Sequence, residues 1–235
     1  MLKKLFVLVC LFYGGVAYAK CPLAEAYLKN GKKDYAFESY QSCALDLNDA
    51  ESQMYVGSAY LNGTNFVEQD LDAAFYYFRM GAENGYAPAQ RELAKLIDAL
   101  EEMGDQGKQA LTDFESQWSD TNDREPLSAL AWMILAAEKA ENKWFYNAPA
   151  IADEEAIKIL PAFRSRKDVS QAEKQAIAFK QEKLMEQAKK LLTASAYRDF
   201  ESIIYPEKQM GKTKGRMTKA DAIENLKKYK MSIQK

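Results

Sequence analysis

The chain has 235 residues, of which 48% are hydrophobic and 28% are charged, and this balance is typical of a globular protein rather than a disordered one. The formal net charge is −2 and glycine and proline are scarce, so collagen-like and low-complexity chains are excluded. Histidine is absent, which removes the commonest metal ligand and the usual general base near neutral pH.

The N-terminus has the layout of a signal peptide. Lys3 and Lys4 precede an apolar run from Leu5 to Tyr13, and small residues follow up to Ala19. We therefore predict that residues 1–19 are removed by cleavage after Ala19 and that the protein is periplasmic or secreted. The apolar run is too short for a permanent anchor, so we expect no integral membrane segment after cleavage. A lipoprotein is the alternative, although Lys20 stands where such signals carry a small residue.

Two cysteines remain after cleavage, Cys21 and Cys43. If residues 22–30 and 34–46 form an antiparallel helix pair that turns at Asn30-Gly31-Lys32, the two side chains lie opposite one another. We predict a disulfide bond between them, because an exported protein meets an oxidising environment. Two reduced, buried thiols are the alternative.

A pattern of packing residues recurs three times in the chain. Each copy starts at an alanine and continues at offsets of three, seven and eight residues, where small side chains dominate. These offsets share one helix face, so each copy predicts a seam at which another helix approaches closely. The starting alanines are Ala36, Ala74 and Ala129.

The helix predicted between the first two copies covers residues 53–63, and its Val56, Gly57 and Tyr60 share one face before a glycine stop. A weaker helix follows the second copy over Gln90 to Ile97 and begins a third pair. The fold class predicted is therefore all-α, a short solenoid of antiparallel helix pairs.

The residues of the second copy resemble a known family. Leu61-Asn62-Gly63, the alanine and tyrosine of the second seam, and Gly81-Ala82-Glu83-Asn84-Gly85 are similar to Sel-1-like repeats of the tetratricopeptide-like superfamily. The strong likeness covers about residues 50–97. Degenerate copies lie before it and from Pro126 to Asn142. The chain departs from the pattern because its first pair lacks a Gly-rich loop.

This resemblance implies repeats over residues 20–103, an irregular insertion or extended helix over 104–126, and a degenerate repeat with capping helices over 127–205. Within the last range, Asp153-Glu154-Glu155 predicts a helix start and Ser170-Gln171-Ala172-Glu173 a capping box that opens the longest helix. Residues 206–235 are expected to form a basic, mostly flexible tail, because residues 207–235 hold nine Lys and Arg against three Asp and Glu.

The function implied is a non-catalytic, exported scaffold that binds a protein or peptide partner, without a cofactor, a metal or nucleic acid. Exposed positions on the inner helices would line the binding surface. The candidates are Met54, Ser58, Arg91 and Lys95.

The alternative is a cell-envelope hydrolase or a β-lactamase-like enzyme, as described for some secreted relatives. We expect no such activity, because Ser232 to Lys235 is the only Ser-x-x-Lys, and the Ser-Asp-Asn and Lys-Thr-Gly motifs of serine β-lactamases are missing. We therefore predict no catalytic residue.

Overall fold

The computed structural model describes residues 21–118, 126–138, 152–166 and 168–192, together with Tyr197, Phe200, Glu201 and Ile204. The predicted signal peptide, part of the predicted insertion and the predicted basic tail, which are residues 1–19, 119–125 and 206–235, lie outside these residues. The chain has two compact units, Tyr18–Ala178 and a second that includes Phe179–Lys235.

The described residues form helices and no strands, which confirms the all-α prediction. The helices, in chain order, are α1 (Pro22–Lys29), α2 (Lys33–Asp46), α3 (Ala50–Asn62), α4 (Leu71–Glu83), α5 (Ala87–Glu102), α6 (Asp105–Trp118), α7 (Ala129–Ala137), α8 (Glu154–Arg164) and α9 (Val169–Leu191). No helix among the described residues has the length and hydropathy needed to cross a membrane.

Sequence neighbours pack side by side from α1 to α5, because short connections leave antiparallel packing as the simplest way to bury each apolar stripe. The α1–α2 connection turns at Gly31, and α3 ends at Gly63, both with positive φ. Cys21 and Cys43 form the predicted disulfide with a Cα–Cα distance of 6.1 Å.

The predicted seams are mostly buried. Their starting alanines, Ala36, Ala74 and Ala129, have no exposed surface. A Cβ added at Gly81 would lie 2.8 Å from the Ala89 Cβ, and one added at Gly57 would lie 2.7 Å from the Phe78 ring. Since real Cβ contacts are longer, small residues at these places are a requirement of close helix approach.

The third helix pair is interrupted. Helix α5 packs extensively on α7, whereas α6, which follows α5 in the chain, lies against α5 and α4. Gly107 lets α6 approach so closely that an added Cβ would lie 1.8 Å from the Leu100 carbonyl oxygen. Helix α6 is thus an insertion between the two members of the pair α5–α7, within the range that the sequence marks as irregular.

Arg79 connects helix α6 to helix α4. Its guanidinium, on α4, donates to both carboxylate oxygens of Glu115 on α6 at 2.9 and 3.1 Å, and to Glu83 at 3.1 Å. It also lies 5.5 Å from the ring centroid of Trp132 on α7. The side chain is 5% exposed, so the two carboxylates compensate for the cost of burying its charge.

The long helix α9 starts before the predicted capping box. Asp168, rather than Ser170, caps it by accepting a hydrogen bond from the Gln171 N–H at 3.0 Å. The first part of α9 is hydrogen-bonded to the start of α7. Gln175 accepts hydrogen bonds from the Ser128 N–H and hydroxyl at 3.1 and 2.7 Å. In the second unit, the Lys183 amine lies 5.5 Å from the Phe179 ring centroid.

Candidate partner-binding face

One backbone hydrogen bond recurs in three places and defines the register of the repeats. In each place the N-cap residue of a helix donates its backbone N–H to a carbonyl of the preceding seam. The acceptor is always the seam residue that stands seven positions after the starting alanine. Helices α3, α5 and α8 therefore occupy the same position in successive repeats. The pairs are Asp49 with Cys43 at 3.2 Å, Tyr86 with Gly81 at 3.0 Å, and Asp153 with Ala136 at 2.9 Å.

A buried glutamine repeats in the same register. Gln53 and Gln90 each stand four residues after their cap, and each donates its side-chain amide to a carbonyl near the end of the preceding helix, at 3.0 and 3.1 Å. Both are buried. They satisfy carbonyls that a helix end leaves without a partner. This role was not predicted from the sequence, where Gln53 and Gln90 were only the first residues of two predicted helices.

The four residues predicted to bind a partner fall into this register as two equivalent pairs. Met54 and Arg91 each stand five residues after their helix caps, and Ser58 and Lys95 each stand nine residues after them. The structure thus places them at matching positions of α3 and α5. We call these four residues together the inner face.

Arg91 is not the exposed charge that the sequence suggested. Its side chain is 13% exposed, and it donates to both Asp153 carboxylate oxygens at 2.7 Å and to Glu92 at 2.8 Å. Burial lowers the pKa of the guanidinium, but the hydrogen bonds to Glu92 and Asp153 outweigh it and hold the pKa above its ordinary value. Arg91 therefore joins α5 to α8.

A second arginine joins the same two helices at their other ends. Arg166, just after α8, donates to Asp98 at 3.0 Å and to Glu102 at 2.6 Å, both on α5. Arg91 meets the start of α8, so the two contacts together show that α5 and α8 run parallel. A parallel arrangement of alternate helices is what a repeated helix pair requires.

Tyr86 lies among carboxylates from two helices. Burial raises the pKa of its hydroxyl, and the negative charges of Glu51, Asp49 and Asp153 raise it further, while Arg91 lowers it. The three carboxylates stand at or next to the starts of α3 and α8, where they complement the positive ends of the helix dipoles. This group of charges therefore stabilises helix starts.

The rest of the inner face combines different chemistries. Met54 and Ser58 are half-buried, with the Ser58 hydroxyl 3.9 Å from the Met54 sulfur. The Lys95 side chain is 44% exposed and its amine lies 3.2 Å from Glu92. Thioether, hydroxyl and amine groups suit the side chains and backbone of a peptide. Within the described residues, no group of His, Cys, Asp and Glu could hold a metal ion.

Comparison with known proteins adds little to this description. No protein-family model matches the chain. A search of curated proteins gives no match either. Among solved structures, a Sel1 repeat protein from Oxalobacter formigenes aligns with 95% of this chain and 93% of its own, at 19% identity and a TM-score of 0.32. This TM-score is too low for the likeness to support the fold, which is defined by the helices of this chain and their contacts.

Proposed function

We propose that the protein is a Sel-1-like repeat scaffold that binds a protein or peptide partner at the inner face, Met54, Ser58, Arg91 and Lys95. The observation that supports this is the register of α3 and α5, whose cap residues make the same backbone hydrogen bond, so that the candidate residues stand at equivalent positions of the two helices. A regular series of such positions suits an extended or helical peptide, whose own side chains also repeat at a regular spacing. Arg91 would act by holding α8 beside α5.

We also propose that the protein works outside the cytoplasm after cleavage at Ala19. The signal-like N-terminus motivates this location, and the Cys21–Cys43 disulfide is consistent with it. The chain is expressed with a label in the producing cells, and the cells are then fractionated to find its location. N-terminal sequencing of the recovered protein gives the cleavage site. A protein recovered in the cytoplasm with Met1 retained would contradict the location.

The partner site is tested with a bulky charge on the inner face. Ser58→Arg should reduce recovery of bound polypeptides from an envelope extract at least tenfold, because the long side chain would cover Met54 and the neighbouring surface. Thr112→Arg is the matched control, since Thr112 is an exposed hydroxyl residue on α6 and is not one of the four inner-face residues. Recovery is compared by quantitative mass spectrometry on immobilised full chain. Equal losses for the two variants would contradict the proposal.

We propose that the scaffold is non-catalytic. The alternative hypothesis, a cell-envelope hydrolase or β-lactamase-like enzyme, has a direct test. A fluorescent penicillin should not label the purified protein covalently, because a Ser-x-x-Lys nucleophile motif occurs in the sequence only at Ser232 to Lys235. Labelling that survives denaturing electrophoresis and is competed by unlabelled penicillin would overturn this part of the proposal.

A further inference from the structure

The first described helix, α1, packs mainly on α2 and is also joined to it by the disulfide. Helix α1 has eight residues, and Cys21 at its cap position makes no side-chain capping hydrogen bond. Ala24 is buried, whereas Leu23 and Leu28 are 57% and 38% exposed. A helix this short is not stable alone, since isolated helices below about 12 residues are marginal in water.

The disulfide stands where the other repeats use packing. Cys43 occupies the seventh seam offset, the place of Gly81 and Ala136 in the other two copies. A small residue there lets the preceding helix approach closely, because a Cβ added at Gly81 would lie 3.4 Å from the Ala50 carbonyl oxygen on α3. At the first seam the neighbour is attached covalently instead, through Cys21.

Helix α2 is held independently by α3. The Tyr40 and Tyr55 rings lie 4.1 Å apart between centroids, and Phe37 meets Tyr60 at 5.7 Å. The Gln41 amide donates to the Tyr60 hydroxyl at 3.3 Å. These contacts do not involve α1, so α2 has reason to stay docked if α1 leaves.

We propose that α1 is a redox-released cap: reduction of Cys21–Cys43 by a dithiol undocks α1 and uncovers the apolar seam of α2. The seam residues Ala36 and Ala44, with Tyr40 beside them, belong to the core cluster that α1 helps to cover. Release would therefore expose a new apolar, aromatic surface at the end of the array while the later helix pairs stay folded.

The exchange starts at the more exposed cysteine. Cys21 is 4% exposed and Cys43 is partly exposed, so a dithiol thiolate attacks the Cys43 sulfur. The bond to Cys21 breaks and Cys21 leaves as a thiolate, which takes a proton. The second thiol of the reductant then displaces Cys43 and closes a cyclic disulfide. The cystine gains two electrons, the dithiol loses two, and two protein thiols result.

Hydrogen exchange on the full chain tests the proposal, with dithiothreitol as the reductant. A Cys10→Ser background leaves Cys21 and Cys43 as the responsive thiols. Reduction should speed exchange in residues 22–29 about 100-fold, the scale set by reopening a closed loop of this length. Exchange in residues 50–62 and 87–102 should stay unchanged.

A second variant separates release from general unfolding. Cys21→Ser with Cys43→Ser should show the fast exchange of residues 22–29 without reductant, and dithiothreitol should then have no effect. Protection of residues 22–29 that survives reduction would overturn the proposal. Loss of protection through residues 50–102 would overturn it as well, because the bond would then support the whole array rather than one releasable helix.

Discussion

Two regions of the array use the same backbone arrangement with different side-chain contacts. In the aromatic region, α1–α4, neighbouring helices meet through rings, such as Tyr60 stacked 5.8 Å from Tyr77, and through amide hydrogen bonds. In the ionic region, α5–α8, Arg91 and Arg166 connect helices to carboxylates. The small residues of the seam thus set how closely the helices approach. The other side-chain contacts between helices can therefore be aromatic in one region and ionic in the other.

The largest expected effect concerns Arg79, which connects the aromatic region to the inserted helix α6. Arg79→Met keeps much of the volume but takes the guanidinium away from Glu83 and Glu115, whose side chains are only 12% and 17% exposed, which should lower the free energy of unfolding by about 3–5 kcal/mol. Urea denaturation measures it. The control Arg164→Met, at an exposed pair with Glu173, should cost less than about 1 kcal/mol. Equal losses would mean that burial does not govern these ion pairs.

The two arginines between α5 and α8 should differ in strength. Arg91→Ala should lower the unfolding free energy by about 1.5–3 kcal/mol, because its charge-assisted hydrogen bonds are shielded from water. Arg166→Ala should cost less than about 1 kcal/mol, because that side chain is 45% exposed. Added salt should weaken the Arg166 contact more. The opposite ranking in urea melts would show that exposure is the wrong guide in the ionic region.

The seam itself is tested at Gly81. Alanine is about 1 kcal/mol more favourable than glycine inside a helix, yet we expect Gly81→Ala to lower the net unfolding free energy by about 1 kcal/mol. The added Cβ would meet the Ala89 Cβ, which is fixed on α5 and cannot rotate away. Thermal or urea melts check the sign. Stabilisation by this substitution would indicate that the helices separate easily.

Alkaline pH should act mainly on the aromatic region. Burial raises the pKa of Tyr40, Tyr55 and Tyr77 above the ordinary value of 10.0. The unfolded chain then ionises first, so their contribution to stability is complete below about pH 10 and is lost as pH rises through the raised folded values. Tyr55→Phe should flatten the fall in unfolding free energy over that window. A variant with the same slope as the unaltered chain would contradict this account.

Local sequence patterns were sufficient to predict the helices and much of their packing. The seam offsets from Ala36, Ala74 and Ala129 identified faces that are buried, because a helix repeats its side-chain directions every few residues. The glycine stop at Gly63 and the pairing of Cys21 with Cys43 follow from equally local rules of turn and spacing. The partner-binding role of Met54, Ser58 and Lys95 stays a prediction.

Contacts between distant segments were decided by the tertiary structure. Nothing in the periodicity of α5 shows which helix it packs on, and the structure shows that α5 packs more extensively on α7 than on α6. The sequence alone also made Arg91 a surface charge, since its carboxylate Asp153 lies 62 residues away. Helix propensity and periodicity act over a few residues, whereas burial and ion pairing depend on which segments are brought together once the helices have docked.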